Sequence, residues 1–236
     1  MDLPQRTHRP MTHYILEFAA VLLGISASLY AENVQEQQRN ERIKNQSLTR
    51  IQLNIAQDIA DMENNIGSHQ EANASCNWVL ANKHNFPSVN PDSLGMHCVH
   101  CVQAETMFID NQEEYRTLQN SGLIELIRSD SLVQALQSKY AQHDALIKGL
   151  ESYISEHCDM GMPVIYKQFS TVSGPEKWFD GWYVKRKWDG SPLPDSFFEL
   201  LEDVSLYRHN FIPIMEERMA ADEQLMRWIS AEVGEE

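Results

Sequence analysis

The residue types best suited to chemistry are concentrated in one short segment of this 236-residue chain. Two cysteines and two histidines fall within five positions, at His97, Cys98, His100 and Cys101. A Cys-x-x-Cys pair can chelate zinc, form a disulfide or exchange disulfides with another thiol. Haem attachment requires a histidine directly after the second cysteine, where Val102 stands.

Two further cysteines, Cys76 and Cys158, bring the total to four. A zinc ion needs four ligands, and adjacent residues cannot all reach it, so one of these distant cysteines would have to join a zinc site. The sequence has no second Cys-x-x-Cys. An even number of cysteines suits two disulfides in an oxidising compartment. Disulfides, free or buried thiols, and a metal site all stay open, with disulfides favoured.

No other constellation indicates catalysis. Acidic pairs such as Glu113-Glu114 and Glu216-Glu217 lack the repeated Glu-x-x-His spacing of a di-iron bundle, so we expect them on solvated faces. The sequence also lacks a nucleophile elbow, a P-loop, a dinucleotide fingerprint and a His-Glu-x-x-His motif. We therefore expect no catalytic residues, no cofactor and a non-enzymatic protein.

A second unusual segment combines aromatic and basic residues. Its members are Trp178, Trp182, Tyr183, Lys185, Arg186 and Trp188. One interpretation is that the rings cover one end of a helical domain. The other is a surface for a partner protein or for the lipid interface, where Trp and Lys are both favoured.

Composition limits the partners. The net charge of −15, with only 19 Lys and Arg, excludes nucleic acid, because a phosphate backbone requires a basic face. A hydrophobic content of 42% is sufficient for a packed core.

The only long apolar run begins near the N-terminus, and we assign residues 13–31 to a transmembrane helix after a tail at 1–12. A helix of that length spans about 30 Å, the thickness of the hydrocarbon layer. A cleaved signal peptide is the alternative. The acidic Glu17 and a helical pattern that continues past residue 31 favour an uncleaved anchor.

One face of this anchor carries small or acidic residues at helical spacing: Glu17, Ala20, Gly24, Ala27 and Ser28. Small residues let helices approach closely in lipid, so this face predicts self-association or a partner helix of another membrane subunit. Basic residues flank both ends and leave the orientation nearly balanced. The cysteines favour the periplasmic side of a bacterial inner membrane.

The remainder predicts an all-α fold. A polar helical stalk at 32–46 leads into a domain at 47–236, with loops near 84–109 and 171–194, the latter with a short hairpin. Gly161 and Pro163 are expected to interrupt one helix, and Pro213 to kink or restart another. Four or five helices with few strand signals predict an antiparallel bundle.

Two segments carry a family resemblance. The anchor has Tyr-Ile-Leu-Glu-Phe at 14–18 and Gly-Ile-Ser-Ala-Ser-Leu at 24–29, with Asn33 before a charged helix. Residues 115–127 read YRTLQNSGLIELI. Both segments resemble a bacterial family of short, single-pass, membrane-anchored helical proteins of unknown function. The resemblance implies this architecture over residues 11–160, and it implies no activity.

Three functional hypotheses follow. The first is a membrane-anchored accessory or scaffold subunit that binds partner membrane proteins through the anchor and the helical domain. The second is an extracytoplasmic bundle that senses a ligand. The third is a metal or redox protein that uses Cys98 and Cys101.

Overall fold

The computed structural model describes residues 11–178 and 181–234. Its first element, helix α1 (Met11–Asn82), is 72 residues long and extends for about 108 Å. The helix runs through the expected anchor and stalk without a break, as its lack of Pro and its strong helix formers predict. The expected tail at 1–12 lies almost entirely outside the described residues.

The first buried side chain of α1 is Lys44, and from there α1 packs against the last helix, α6 (Asp195–Gly234). The two helices are antiparallel, because Lys44 contacts Glu232 whereas Asn73 contacts Ser205. The expected restart at Pro213 is wrong, since α6 continues through it as one helix. Phe211 and Met215 lie in the core on either side of Pro213, and this burial offsets the lost backbone hydrogen bond.

The expected loop near 84–109 contains a helix, α2 (Pro91–Gln103). The Asn-Pro-Asp sequence at residues 90–92, a pattern typical of a loop, begins this helix instead. Asn90 caps it by accepting a hydrogen bond from the Asp92 N–H, and Pro91 takes the first helical position. Helix α2 runs antiparallel to the end of α1. The expected loop is confirmed at 83–90, a turn with a short 3-10 helix (Phe86–Ser88), and at the extended connection of residues 104–112.

The middle of the chain forms helices α3 (Glu113–Asn120), α4 (Asp130–Gln137) and α5 (Asp144–Gln168), with a π-helical turn at Ser138–His143. Gly122 ends the α3 turn with φ +73°, as its position predicts. The expected interruption of α5 at Gly161 and Pro163 is wrong. A Cβ at Gly161 would press on Val102 and Leu200, so this glycine permits close helix packing.

The expected loop at 171–194 is mostly an antiparallel hairpin of strands β1 (Phe169–Trp178) and β2 (Gly181–Trp188). It packs on α2, where a Cβ at Gly95 would overlap the carbonyl of Arg186. With this small sheet added, the structure confirms the expected helical bundle.

The core has two apolar clusters along the bundle. The cluster nearer the N-terminal segment joins α1 (around Ile51) and α6 (around Leu225) to α3 and α4. The more distant cluster joins the end of α1 to α2, α5, the first half of α6 and the base of the hairpin. A layer of charged residues separates the two clusters.

Candidate functional site

The N-terminal part of α1 exposes its apolar surface. Residues 11–31 form a helix long and apolar enough to cross a membrane, and the most apolar part of this segment has no buried residue. The predicted face of Glu17, Ala20, Gly24, Ala27 and Ser28 is exposed with the rest. A Cβ at Gly24 would meet no atom within 4 Å. Near the start of the face, His13 Nε2 lies 3.1 Å from Glu17 Oε1.

The cysteines form one disulfide instead of two. Cys101 of α2 is bonded to Cys76 of α1, with their Cα atoms 4.9 Å apart, whereas Cys98 and Cys158 are buried free thiols. Burial raises the pKa of the Cys98 thiol and raises the pKa of Cys158 to about 11, so both are protonated at neutral pH. The expectation of a second disulfide and of a Cys98–Cys101 chelating or dithiol pair is therefore wrong.

The neighbouring histidines make aromatic contacts. His97 stacks on Trp78 with a centroid distance of 4.2 Å, and its Nδ1 lies 3.2 Å from the Ser75 hydroxyl. The ring of His100 meets Tyr183 edge-on at 4.7 Å. Within 11–178 and 181–234, no group of His, Cys, Asp or Glu side chains is arranged to hold a metal ion.

A buried arginine lies next to the disulfide. Arg208 is fully buried, and its Nη2 donates to the Cys101 carbonyl at 3.0 Å and to Cys158 Sγ at 3.6 Å. Its Nη1 lies 3.2 Å from His69 Nδ1. Burial, assisted by the arginine charge, lowers the pKa of His69 to about 3. The neutral imidazole therefore accepts from Arg208 at Nδ1 and donates through Nε2–H to the Thr106 hydroxyl, 2.9 Å away.

The layer between the two apolar clusters contains two cations and three carboxylates, all nearly inaccessible. Lys139 Nζ lies 2.8 Å from Asp222 Oδ2, 3.0 Å from Asp58 Oδ2 and 3.5 Å from Asp110 Oδ1. Arg218 Nη2 lies 3.1 Å from Asp110 Oδ2. Lys139 belongs to the π-helical turn, a feature that often marks functional or strained positions in helices.

Charge balance in this layer requires a proton. Three carboxylates against two cations would leave one uncompensated negative charge in the core, which is costly. Burial raises the pKa of Asp58 to about 7, and a hydrogen bond with Asp110 contributes to the rise. Asp58 therefore holds a proton below neutral pH, and the layer is then electrically neutral.

The aromatic hairpin is used largely for internal packing. Trp188 Nε1 donates to the Ser191 carbonyl, and its ring lies 5.9 Å from Phe86. Tyr183 donates to Glu176, and Arg186 lies over the Tyr166 ring at 4.9 Å. Lys185 is half-buried.

The side chains of Trp178 and Trp182 lie outside the described residues. The backbone register pairs Trp182 with Lys177 and Trp178 with Gly181. The predicted partner or lipid surface is thus partly occupied by the bundle.

The sequence prediction missed the buried polar residues. The sequence of α1 does contain a signal for one of them. Asp58 lies on the apolar face, three residues after Ile55 and four before Met62. In α6, Asp222 likewise precedes Leu225 by three. A charged residue within an apolar stripe predicts a buried partner, because an unpaired charge in a core is strongly unfavourable.

The comparisons with known proteins give no relatives: no family model, no curated protein and no solved structure matches this chain.

Proposed function

We propose that this protein is a non-enzymatic, membrane-anchored accessory or scaffold subunit of a bacterial inner membrane. The observation that carries the proposal is the exposed apolar segment at 11–31 of α1, which the other described residues leave uncovered. Water disfavours such a surface, and a bilayer satisfies it. The helix then continues through the stalk into the core, so the anchor and the bundle form one mechanical unit.

The small-residue face supports association with a second membrane helix. Ala20, Gly24 and Ser28 follow one another at four-residue intervals and present little side-chain bulk. In lipid, close backbone approach replaces the hydrophobic drive for helix packing. We assign this face to contact with another subunit or with a second copy of the chain.

The disulfide supports a periplasmic location for the bundle. Disulfides persist in oxidising compartments and are rare in the cytosol. A binding role is supported over catalysis by the positions of His69 and Cys158, whose shifted pKa values arise in the packed core.

The aromatic hairpin fits a protein partner better than the membrane of its own anchor. It packs near the end of α1, and the helix from residue 31 to residue 82 covers about 75 Å along its axis. A bundle standing on its anchor holds the hairpin far from that bilayer.

Orientation can be tested by labelling introduced cysteines in intact cells, because all four native cysteines are buried. Ala60 is exposed on α1, so Ala60→Cys should react with a membrane-impermeant maleimide from outside the inner membrane. Thr7→Cys should react only after permeabilisation. The reverse pattern would place the bundle in the cytoplasm, and release of the chain by carbonate would contradict anchoring.

Association can be tested in mild detergent. We expect the wild-type protein to elute as a complex, and the triple variant Ala20→Leu/Gly24→Leu/Ser28→Leu to elute as a monomer. Ser26→Leu is the matched control, because residue 26 points about 200° away from Gly24 on the helix. A monomeric wild type without a partner would overturn the scaffold proposal.

A further inference from the structure

A groove lies between the extended connection at 104–112 and the exposed side of α5. Its volume is about 1050 Å³. The residues that make this groove both apolar and acidic are Glu105, Met107, Ile109, Glu156, Asp159 and Met160. It is separate from the anchor face and from the hairpin, and the proposed function assigns it no role.

One wall of the groove is held rigidly from inside. The connection alternates like a β-strand, and its even-numbered residues face the core. Thr106 is hydrogen-bonded to His69, and Phe108 is buried beneath Arg218, whose guanidinium lies 5.4 Å from its ring. The Phe108 N–H donates to Glu151 Oε1 at 2.8 Å. Asp110 is paired with Arg218 as described above.

The odd-numbered residues of this wall are consequently held outward. Met107 is 72% exposed and Ile109 is 73% exposed, and Met160 of α5 is 61% exposed at the same groove. Because the segment is fixed at each intervening residue, these apolar side chains cannot turn inward. Apolar side chains grouped at a preformed groove mark a binding surface, and methionine adapts well to the shape of a partner.

The groove also carries a clear charge. Glu105, Glu156 and Asp159 line it together with Glu151, against the single cation of Lys148. Ser155 donates to Glu105, which fixes one of these carboxylates in the groove. A partner that covers the apolar residues must therefore bring positive charge with it.

The spacing of the apolar residues fits a helix. Side chains two residues apart on an extended segment are separated by about 7 Å. Positions four residues apart on a helix are separated by a rise of about 6 Å. An apolar stripe on a helix can therefore contact Met107 and Ile109 on successive turns, while basic residues beside the stripe reach the acidic positions of α5.

We propose that this groove binds a basic amphipathic helix of a partner protein. The inference rests on the proposed scaffold function and names the surface by which the bundle would engage its partner.

The test uses the full chain in phosphatidylcholine nanodiscs and a fluorescent peptide of about 14 residues, four turns of helix, in which Leu and Lys form opposite faces. Empty nanodiscs give the lipid background. We expect saturable, salt-sensitive binding to the wild type. Met107→Lys/Ile109→Lys should weaken that binding by at least about tenfold, because it removes the apolar contacts and adds like charge. Glu156→Lys/Asp159→Lys should weaken it independently.

Leu206→Lys is the matched control, because Leu206 is similarly exposed on α6 and does not line the groove. All variants are exposed-site substitutions, and unchanged melting temperatures verify their folding. Equal affinity of the wild type and Met107→Lys/Ile109→Lys would overturn the inference, as would equal binding of a peptide with Glu in place of Lys. A wild-type dimer that the double variant dissociates, without peptide binding, would assign the groove to self-association instead.

Failure of this inference can be distinguished from failure of the proposed function. Carbonate extraction reports on the anchor and is independent of residues 107 and 109, and the variants at positions 20, 24 and 28 test the anchor face with the groove unchanged. Peptide binding by a chain that proves not to be membrane-anchored would leave the groove assignment intact and remove the scaffold proposal.

Discussion

Arg208 of α6 donates a hydrogen bond to the carbonyl of Cys101 at 3.0 Å, so a fully buried guanidinium holds the α2 side of the disulfide. The same group contacts His69 of α1 and Cys158 of α5. A single side chain thereby joins four helices at the centre of the distant core cluster.

We expect Arg208→Ala to lower the free energy of unfolding by about 3 kcal/mol, because it leaves a cavity and buried polar groups without a donor. The midpoint of denaturant unfolding in detergent measures the loss. Arg227→Ala is the matched control on the same helix, since Arg227 is largely exposed and should change stability by less than about 0.5 kcal/mol. Similar midpoints for both variants would contradict the assigned role of Arg208.

The disulfide predicts a defined pattern of alkylation. Protein unfolded without reductant should take up two alkyl groups, at Cys98 and Cys158, and four after reduction. Mass spectrometry of the peptides identifies the sites. Four groups before reduction would show that the Cys76–Cys101 bond does not form in the cell.

Removal of the Cys76–Cys101 bond by Cys76→Ser should cost about 3 kcal/mol, because the bond closes a loop between residues 25 apart in sequence. The unfolding midpoint of the variant is compared with that of wild-type protein measured with and without reductant. Reductant should lower the wild-type midpoint, as the substitution does. A variant as stable as the oxidised wild type would contradict this expectation.

The charged layer predicts a pH dependence carried by Asp58. Its pKa is raised in the folded protein, so between about pH 4 and about 7 the folded state binds a proton that the unfolded state releases. Its contribution to stability is therefore complete at the acidic end of this window and is lost as the pH rises through it. The stability of wild type relative to Asp58→Asn should fall from pH 4 to pH 7, as measured by urea unfolding. An unchanged difference would contradict the raised pKa of Asp58.

Two carboxylates of this layer should respond differently at neutral pH. Asp58→Asn imitates the protonated group and leaves two carboxylates against two cations, so we expect it to cost at most about 1 kcal/mol at acidic pH and to be neutral or stabilising at pH 7. Asp222→Asn removes an anion that lies near both Lys139 and Arg218, and we expect a cost of about 3 kcal/mol. Equal costs in thermal and denaturant unfolding would contradict this charge assignment.

Two helical glycines provide a test of the hairpin contact. Gly95→Ala should destabilise the protein by about 2 kcal/mol, because a methyl group there overlaps the Arg186 backbone. Gly149→Ala has open space around its Cβ, and it should be neutral or stabilise α5 by up to about 1 kcal/mol. Thermal melting compares the two. A destabilised Gly149→Ala or a neutral Gly95→Ala would contradict the packing.

The parts of the fold that depend on local pattern were predictable from the sequence. The stripe of Leu48, Ile51, Ile55 and Met62 repeats at helical spacing, and all four residues are buried. The start of α4 is likewise a local feature, because Ser129 caps it by accepting a hydrogen bond from the Leu132 N–H. These features are set by residues within one or two turns of one another.

The errors arose where tertiary packing outweighs a local signal. Pro163 and Pro213 each remove a helical hydrogen bond, yet burial of neighbouring residues keeps both helices continuous. The Asn90-Pro91 pair is compatible with either a loop or a helix start, and sequence alone does not distinguish them.

The candidate sites were the hardest to predict. The partner of Cys101 is 25 residues away on another helix, and the pairing of four cysteines is not encoded by their spacing. Met107 and Ile109 were not identified, because their exposure follows from the anchoring of Thr106, Phe108 and Asp110 by other elements. Contacts between distant residues decide both cases.

Because α1 is unbroken, it fixes the rotation of the bundle about the helix axis relative to the anchor. Each residue between Gly24 and the first buried position, Lys44, turns the two ends by about 100° relative to each other. Inserting one residue in the stalk should therefore aim the groove away from a partner held by the Gly24 face, and inserting seven should nearly restore the alignment, about 20° short. The length of the stalk thus sets the direction in which the groove faces as well as the distance of the bundle from the membrane.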